Sequence, residues 1–210
     1  MKKVAIRKYN RVESVVFLRT GEAFGGLSNM AGGYPINING VRFLTSEALY
    51  QACRFPHLPE VQKLIIGQNS PMTAKMRSKP FRAQSRDDWM KIRVRIMKWC
   101  IRAKLLNNWQ AFSELLLSTE GKSIVEESRR DSFWGALPLN QELLEGANVL
   151  GRLLMELRED IISTGPEGFK KLAPPEVENF IILEKAVPTL ELLSLKSTPV
   201  IQDDIFSGSH

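Results

Sequence analysis

A glutamate at the predicted start of a helix has the setting in this chain that most favours chemistry. It belongs to the stretch Leu-Thr-Ser-Glu-Ala-Leu-Tyr-Gln at residues 44–51, where Thr45 or Ser46 can cap the helix by accepting a bond from a free backbone N–H. Glu47 then lies in the first turn, where the positive end of the helix dipole favours an ionised carboxylate. Such a group can act as a base or a nucleophile, or bind a hydroxyl. The alternative is an ordinary first-turn acid, since acids are common at that position.

A second candidate for chemistry is the segment Asp-Ser-Phe-Trp-Gly at residues 131–135. Its pattern matches neither a helix nor a strand. An acid, two aromatic side chains and a glycine in an irregular segment are typical of a site on a loop. The alternative is a turn whose aromatic side chains fill the core, and the residues alone leave both interpretations open.

A cluster of positive charge lies between these two segments. Four cations fall within eight residues: Lys75, Arg77, Lys79 and Arg82. They can bind phosphates or form a solvated basic loop, and charge alone favours the loop. The chain has 29 basic and 23 acidic residues, of which residues 163–210 hold four lysines and seven acids, so residues 1–162 carry a net charge of +9. A basic body indicates a nucleotide or nucleic-acid partner, or else a basic domain that binds neither.

The elements that position these residues are predicted from periodicity and turn signals. The pattern predicts a strand over 12–18, a glycine-containing loop over 21–29, a hairpin over 35–43 and helices over about 59–67, 88–107 and 146–162. Asn39-Gly40 is the strongest short hairpin signal, and Asp87 or Asp88 is expected to cap the longest helix. The glycines of the loop over 21–29 let backbone N–H groups approach a ligand.

The length of 210 residues suits one domain with an appendage. Prolines punctuate the chain after residue 163, so we expect a C-terminal extension with a strand near 179–183 and a loose end. No apolar run is long enough to span a membrane, and the N-terminus lacks an apolar signal segment. Cys53 and Cys100 fall in apolar helical patterns and are expected to be reduced thiols of a cytoplasmic protein. The scattered cysteines and histidines show no metal-ligand spacing.

Several short motifs, taken in order, resemble the NADAR family, also called YbiA-like. The match covers about residues 14–160 and rests on these motifs: Phe24…Leu27-Ser28-Asn29, Thr45-Ser46-Glu47…Tyr50-Gln51-Ala52…Phe55, Ser70-Pro71-Met72, Ser78-Lys79-Pro80…Arg82, Trp89, Asp131…Trp134-Gly135 and Asn148…Leu150-Gly151…Leu153-Leu154-Met155…Arg158.

The expected fold is α+β and predominantly helical. It comprises a YbiA-like domain at residues 1–162 with a small N-terminal β-sheet, and an extension at 163–210 that serves partner docking or structure. The resemblance implies hydrolysis of N-glycosidic bonds without a cofactor. YbiA-like members cleave phosphoribosyl-amino intermediates of riboflavin synthesis, whereas members paired with DarT-type toxins remove ADP-ribose from guanine bases in DNA.

This chain departs from the YbiA-like pattern close to its carboxylates. Ala48 replaces a histidine, Met30 replaces an aromatic residue, and Gly146-Ala147 replaces Gly-Lys. These changes argue against a riboflavin-type substrate. We therefore expect an antitoxin that acts on ADP-ribosylated DNA, releases ADP-ribose and has a DarT-type toxin as a possible partner. The alternatives are a riboflavin-pathway N-glycosidase and a non-catalytic module that binds ADP-ribose or a nucleotide.

The resemblance also suggests roles for individual residues. Glu47 would serve the ribose and the attacking water, Asp131 would be the second carboxylate, and Lys79 would form a Schiff base with the opened sugar or bind phosphate. Arg82 and Lys75 would neutralise the diphosphate. The remaining predicted contacts are stacking by Phe24 and Trp134, hydroxyl binding by Asn29 and Asn148, and further substrate contacts by Ser28, Ser46, Gln51, Gly135 and Gly151.

Overall fold

Helices surround one apolar core in the computed structural model, which describes residues 4–68 and 70–192. The α-helices are α1 (Ser46–Ala52), α2 (Pro59–Ile66), α3 (Pro71–Ser78), α4 (Trp89–Asn107), α5 (Trp109–Leu117) and α6 (Val149–Thr164). Three short 3-10 segments are Gly25–Leu27, Lys79–Gln84 and Pro166–Phe169. The strands are β1 (Arg7–Asn10), β2 (Ser14–Phe17), β3 (Ile36–Ile38), β4 (Val41–Phe43), β5 (Ser123–Glu126), β6 (Leu137–Pro138), β7 (Leu143–Gly146), β8 (Lys171–Leu172), β9 (Ile181–Ile182), β10 (Lys185–Ala186) and β11 (Leu190–Glu191).

Helix α4 supplies the longest buried stripe, as its periodicity predicts. Its apolar positions at steps of three and four are all buried: Trp89, Ile92, Ile96, Trp99, Ala103 and Leu106. The predicted cap is corrected in one respect. Asp88 occupies the N-cap position, but its carboxylate accepts two bonds from the guanidinium of Arg86, at 2.5 and 3.0 Å, and makes no side-chain cap.

The predicted N-terminal sheet is instead divided between distant parts of the chain. Strand β2 pairs in parallel with β5, and β1 pairs antiparallel with β7, which also pairs with β6. A parallel pair needs a long crossover, and α1–α5 lie between β2 and β5 in the chain. The β3–β4 hairpin is local, as are the β6–β7 and β9–β10 pairs, and its turn residues Asn39 and Gly40 have φ values of 52° and 77°, which confirms the predicted hairpin.

The basic stretch around residue 75 is helical, and the loop interpretation is wrong for it. Helix α3 begins at Pro71, a residue favoured in the first helical turn. It brings Lys75 toward α1, which packs against both α2 and α3. The charge of the segment reflects an exposed helix face, since Lys75, Arg77 and Lys79 are exposed while Ala74 and Ser78 are buried.

The described part of the C-terminal extension packs onto the same core. Phe169, Phe180, Ile182 and Val187 are buried within it, and Gln62 of α2 holds β9 by donating to the Ile181 carbonyl at 3.0 Å. The strand predicted near 179–183 is present as β9. The loose end predicted for the last residues lies outside the described residues, and partner docking by the extension stays a prediction.

Two further sequence predictions concern cysteines and membranes. Cys53 and Cys100 are buried free cysteines. Among residues 4–68 and 70–192, none of the helices has the length and apolar character needed to cross a membrane.

Candidate active site

Glu47 lies where the sequence predicts it, in the first turn of α1. Thr45 is the N-cap, and its Oγ1 accepts a bond from the Ala48 backbone N–H at 3.2 Å. The Glu47 backbone N–H donates to the Asn29 carbonyl at 3.0 Å, which ties the helix start to the loop before β3. The residue is only 6% exposed. The fold therefore holds this carboxylate rigidly at the positive end of a short helix.

The carboxylate of Glu47 is oriented by neighbours on α1 and α3. Gln51 Nε2 donates to Glu47 Oε1 at 3.0 Å, and Gln51 Oε1 accepts a bond from Ser78 Oγ at 3.1 Å. Lys75 Nζ lies 3.9 Å from the same Oε1. Within the part of the chain that the structure describes, Oε2 accepts no hydrogen bond, so one carboxylate oxygen is open to a substrate hydroxyl or a water molecule.

Glu126 is a second carboxylate at this site, and the sequence argument did not assign it a role. It ends β5, directly after the buried Ile124 and Val125. Burial raises the pKa of Glu126 to about 7; the charges of Glu47 and Asp131 raise it further, against an opposing effect of Lys75. Glu126 and Glu47 therefore share one electrostatic environment. An acid that ends a buried strand was the available sequence signal.

Asn148 holds the strand that carries Glu126. Its Oδ1 accepts from the Glu126 backbone N–H at 3.2 Å, and its Nδ2 donates to the Ile124 carbonyl at 2.8 Å. Asn148 is fully buried and adopts φ 46°, ψ 48°, a left-handed conformation that asparagine tolerates. These contacts position β5 against α6, and the predicted contact with a substrate hydroxyl stays a prediction.

The two predicted glycines lie at close approaches of the backbone. A Cβ on Gly151 would lie 2.1 Å from the Ile124 carbonyl oxygen, and one on Gly135 would lie 2.4 Å from the Glu126 carbonyl oxygen. Both positions therefore require glycine for packing around β5. Their contribution to substrate binding, if direct, is through the backbone.

Asp131 organises the loop that follows β5. Its Oδ1 accepts bonds from the backbone N–H groups of Phe133 and Trp134, both at 2.9 Å, in the manner of a turn-forming aspartate. The residue is exposed, and it is near enough to Glu126 to affect its pKa. The structure thus gives Asp131 a positioning role, and its role as the second reacting carboxylate stays a prediction.

An aromatic cluster lies beside the two carboxylates. The Tyr50 ring packs against Trp89 and Trp134, with centroid distances of 4.9 and 5.7 Å, and Trp134 contacts Phe133 at 5.1 Å. Burial and the charge of Glu47 raise the pKa of Tyr50, which links the cluster to the site. Trp134 and Phe133 are half-buried, so the loop both packs on the core and keeps part of its aromatic surface accessible.

The loop before β3 is held by a buried lysine to which the sequence motifs assigned no role. Lys104 Nζ donates to the carbonyls of Gly26 and Ser28, at 2.5 and 3.2 Å. Burial lowers the pKa of Lys104 to about 7, while the rings of Tyr34 and Phe112, with centroids 4.5 and 4.3 Å from Nζ, favour its charged form. Lys104 thereby fixes the loop whose next residue bonds to Glu47.

Several predicted contact residues have internal partners in this loop region. Asn29 is buried, with Oδ1 accepting from Ser46 Oγ at 3.1 Å and Nδ2 directed at the Met97 sulfur at 2.8 Å. Ser28 Oγ accepts from the Met30 backbone N–H. Phe24 is half-buried against the core. The polar groups of Asn29, Ser28 and Ser46 bond to other parts of the protein and so support the residues of the site. Ligand contacts by these three residues and by Phe24 stay predictions.

Lys79 and Arg82 lie on the exposed 3-10 segment after α3. Lys79 follows Ser78, which bonds to Gln51 and thereby adjoins the Glu47 site. Neither cation forms an ion pair within the described residues. A Schiff base on Lys79 and phosphate binding by Arg82 stay predictions. No group of three or more His, Cys, Asp or Glu side chains that could hold a metal occurs among the described residues.

Comparison with known proteins identifies the family of this domain. A family model for the NADAR domain matches residues 16–162. The chain belongs to the NADAR domain family. The match confirms the family resemblance of the ordered motifs, and it ends where the C-terminal extension begins.

Relatives in the NADAR family carry names that refer to N-glycosidic bonds or riboflavin. The chain is 33% identical over 152 residues to N-glycosidase YbiA of Escherichia coli, covering 69% of this chain and 86% of that protein. An N-glycosidase of Nostoc punctiforme is 31% identical over 150 residues, covering 70% and 92%. A riboflavin biosynthesis protein of Vibrio vulnificus is 30% identical over 156 residues, and there the chain spans 40% of the relative's length.

A solved structure shares the fold. The NMR structure of E. coli YbiA superposes with a TM-score of 0.60 at 30% sequence identity, covering 73% of this chain and 91% of that chain. The likeness confirms a domain that combines helices and strands, as the α+β prediction required, with the division of its sheet as described above.

Proposed function

We propose that this NADAR protein is an N-glycosidase that removes ADP-ribose from guanine bases in DNA. The observation that carries the proposal is the pair Glu47 and Glu126, two carboxylates in one site with contrasting surroundings. Family membership and the relatives named N-glycosidases support the reaction class. In this proposal the protein counteracts a DNA-modifying toxin of the DarT type in the cytoplasm.

The two carboxylates suit the two halves of the reaction. Cleavage of an N-glycosidic bond builds positive charge on the ribose ring and negative charge on the leaving nitrogen. Glu47, held at a helix start beside Lys75, is placed to stabilise the ribosyl cation and to accept a proton from the attacking water. Glu126, with its pKa raised to about 7, still carries a proton in a large fraction of molecules at neutral pH. A carboxyl group whose pKa is raised toward neutrality is suited to act as a general acid.

The bond changes balance in the proposed step. The bond between C1″ and nitrogen breaks, its electron pair stays on the nitrogen, and the Glu126 proton moves to that nitrogen. The oxygen of water bonds to C1″, and Glu47 accepts the released proton. The products are the free guanine amine and ADP-ribose, and proton exchange with water restores both carboxylates.

Three features support a nucleotide-bearing substrate in DNA. Residues 1–162 carry a net charge of +9, which favours association with phosphates. The half-buried rings of Phe133 and Trp134 offer a stacking surface for a base. Ala48 stands beside Glu47 where the YbiA-like pattern has a histidine, and this departure argues against a riboflavin-type substrate.

A second candidate substrate is a phosphoribosyl-amine of the riboflavin pathway. The observation that favours it is the name of the Vibrio vulnificus relative. Both substrates join a ribosyl C1 carbon to an amino nitrogen, so the same carboxylate pair serves either one.

Turnover of both substrates by the same preparation tests the proposal. An oligonucleotide with ADP-ribosylated guanine is incubated with the protein, and free ADP-ribose is quantified; a phosphoribosyl-amine of the riboflavin pathway is tested for release of ribose 5-phosphate. We expect release from the oligonucleotide, strongly reduced in Glu47→Gln and unchanged in Glu60→Gln, an exposed acid of α2. Binding of the oligonucleotide without release would identify a non-catalytic module, and release from the phosphoribosyl-amine alone would identify the metabolic enzyme.

A further inference from the structure

Three arginines from separate elements meet beside the aromatic cluster. Arg54 follows α1, Arg82 lies in the 3-10 segment after α3, and Arg93 belongs to α4. The Arg54 guanidinium lies 5.3 Å from the centroid of the Trp89 ring, and that of Arg93 lies 3.8 Å from the centroid of Phe133. Burial first, and then the charges of Arg82 and Arg93, lower the pKa of Arg54. Arg54 therefore lies near both other cations, and Ser85 links it to Arg82, since the Ser85 hydroxyl accepts a bond from Arg54 Nε and donates to the Arg82 carbonyl.

No carboxylate compensates these charges within residues 4–68 and 70–192. Some other arginines do form ion pairs, among them Arg86 with Asp88 and Arg102 with Asp160. Arg54, Arg82 and Arg93 form no such pair there. Among the described residues, the only hydrogen bond from the Arg54 guanidinium goes to the neutral Ser85 hydroxyl, at 2.6 Å.

Arg93 carries a further unsatisfied group. Its Nε atom is buried and has no hydrogen-bond partner in the described structure, although a buried donor without a partner is costly. The rings of Phe133 and Trp134, at 3.8 and 5.9 Å, compensate part of the charge through cation–π contact. They do not satisfy an N–H donor or relieve repulsion between cations. An anion between the arginines would do both.

We propose that Arg54, Arg82 and Arg93 form the site for the phosphate or diphosphate group on C5 of the ribose. The proposal rests on the proposed function, since it places the ribose C1 at Glu47. Tyr50 connects the two places, because its pKa responds to Glu47 as well as to Arg93 and Arg54. The planar guanidinium forks match phosphate oxygens in pairs.

This assignment changes the predicted phosphate contacts. Lys75 was expected to neutralise the diphosphate together with Arg82, but its Nζ lies 3.9 Å from Glu47 Oε1. Lys75 therefore belongs to the carboxylate end of the site. Arg54 and Arg93 take its place at the phosphate end, where the aromatic rings limit access of water and strengthen the attraction.

Binding of inorganic pyrophosphate measures the phosphate site without any chemistry. Calorimetric titration is carried out on the wild type, on Arg54→Gln, Arg82→Gln and Arg93→Gln, and on Arg77→Gln, an exposed arginine of α3, as the matched control. We expect each cluster variant to raise the Kd about tenfold, because a charge-assisted hydrogen bond is lost, and the control to remain within about twofold. Equal affinity in all variants, or no binding by the wild type at low salt, would overturn the proposal.

Arg93 packs on Phe133, so its removal can alter the loop as well as the charge. Arg93→Lys retains the charge and loses the fork, and we expect it to bind pyrophosphate more weakly than the wild type and more tightly than Arg93→Gln. Melting temperatures of the unliganded variants identify any change in folding. Equal binding by Arg93→Lys and Arg93→Gln, with both folded, would contradict a charge-dependent phosphate contact.

Three further ligands identify the source of the phosphate. If the affinity for ADP-ribose depends more strongly on the arginines than the affinity for ribose 5-phosphate does, the site binds a diphosphate. The opposite order indicates a monophosphate, and either result supports the site. If only an unmodified single-stranded oligonucleotide depends on the arginines, the cluster binds a DNA backbone and the proposal is wrong.

Pyrophosphate binding and turnover test the phosphate site and the proposed function separately. Loss of turnover on both glycosides with arginine-dependent pyrophosphate binding would reject the proposed function and leave the phosphate site in place. Turnover with pyrophosphate binding that is indifferent to the arginines would reject only the phosphate site.

Discussion

The helical side of the candidate site and its strand side treat a carboxylate in opposite ways. On the helical side, Glu47 lies at the start of α1, bonded to Gln51 and close to Lys75. On the strand side, Glu126 ends β5 in a buried setting that raises its pKa to about 7. Both carboxylates are largely shielded from solvent, since Glu47 is 6% exposed and Glu126 is half-buried. They differ in their partners: Glu47 has an amide donor and a cation beside it, whereas burial and the charges of Glu47 and Asp131 raise the pKa of Glu126.

The largest expected effect comes from the helical side. Glu47→Gln preserves the shape and the contact with Gln51 but removes the charge, so we expect kcat to fall about 10³-fold, with little change in the affinity for ADP-ribose. Single-turnover release of ADP-ribose from a modified oligonucleotide measures the effect. The double variant with Glu126→Gln serves as the control, because residues that act as a unit are not additive. A double variant that loses the product of the two single losses would show that the carboxylates act independently.

A smaller loss is expected on the strand side. Glu126→Gln removes the proton donor but leaves the charge of Glu47, so we expect the rate at pH 7 to fall about 10²-fold. Glu127→Gln, the next residue in the chain, is a charge-matched comparison that removes the ion pair with Arg11 instead. Equal losses in the two variants would point to damage to β5 rather than to loss of the acid.

The same Glu126 variant has an expected effect on stability. Because the pKa of Glu126 is raised in the folded protein, folding binds an extra proton between about pH 4.5 and 7, so this group costs stability as the pH rises through that range. Glu126→Gln should therefore be more stable than the wild type at pH 8 and nearly equal to it at pH 4.5. Urea unfolding at both values measures the difference, in which the opposing titration of Lys104 cancels. A variant less stable at pH 8 would contradict the buried, neutral form of Glu126.

Asn148 tests how the strand side is positioned. Asn148→Ala removes the bonds to Ile124 and Glu126 and places alanine at positive φ, so we expect a loss of about 2–4 kcal/mol in the free energy of unfolding. Activity of the folded fraction should fall about tenfold. Glycine tolerates the backbone conformation but cannot form the side-chain hydrogen bonds. Asn148→Gly therefore measures the effect of losing those bonds alone. Recovery of full activity in Asn148→Gly would mean that backbone conformation alone positions Glu126.

The smallest effect is expected for Lys75. Its side chain is 48% exposed and 3.9 Å from the Glu47 oxygen, so solvent screens the interaction. Lys75→Gln should lower the rate only about threefold at low salt and less at high salt. A loss as large as that of Glu47→Gln would show that Lys75 takes part directly in the chemistry.

Local signals explain why Glu47 could be predicted and Glu126 could not. The cap, the dipole and the acid of α1 all lie within a few residues, so they are visible in the sequence. The surroundings of Glu126 depend on a parallel pairing of β5 with β2 and on a bond from Asn148, 22 residues away. Strand pairing across such separations is not encoded in the local pattern, and the predicted N-terminal sheet was wrong for the same reason.

The arginine cluster shows the same limit. Arg54, Arg82 and Arg93 come from three different elements, and each has the local pattern of a surface residue. Arg93 lies on α4 outside its buried stripe, and the packing of the loop after Asp131 brings Phe133 onto it. The charge of a sequence therefore indicates that a protein binds phosphate. It does not indicate which residues form the binding site.

The rate of ADP-ribose release as a function of pH tests the pairing of Glu47 with Glu126 most directly. With the pKa of Glu126 at about 7, the wild-type rate should fall about tenfold per pH unit above neutrality, and that limb should be absent in Glu126→Gln, which is slow at every pH. A wild-type rate that stays constant or rises between pH 7 and 9, or an unchanged alkaline limb in Glu126→Gln, would contradict proton donation by Glu126.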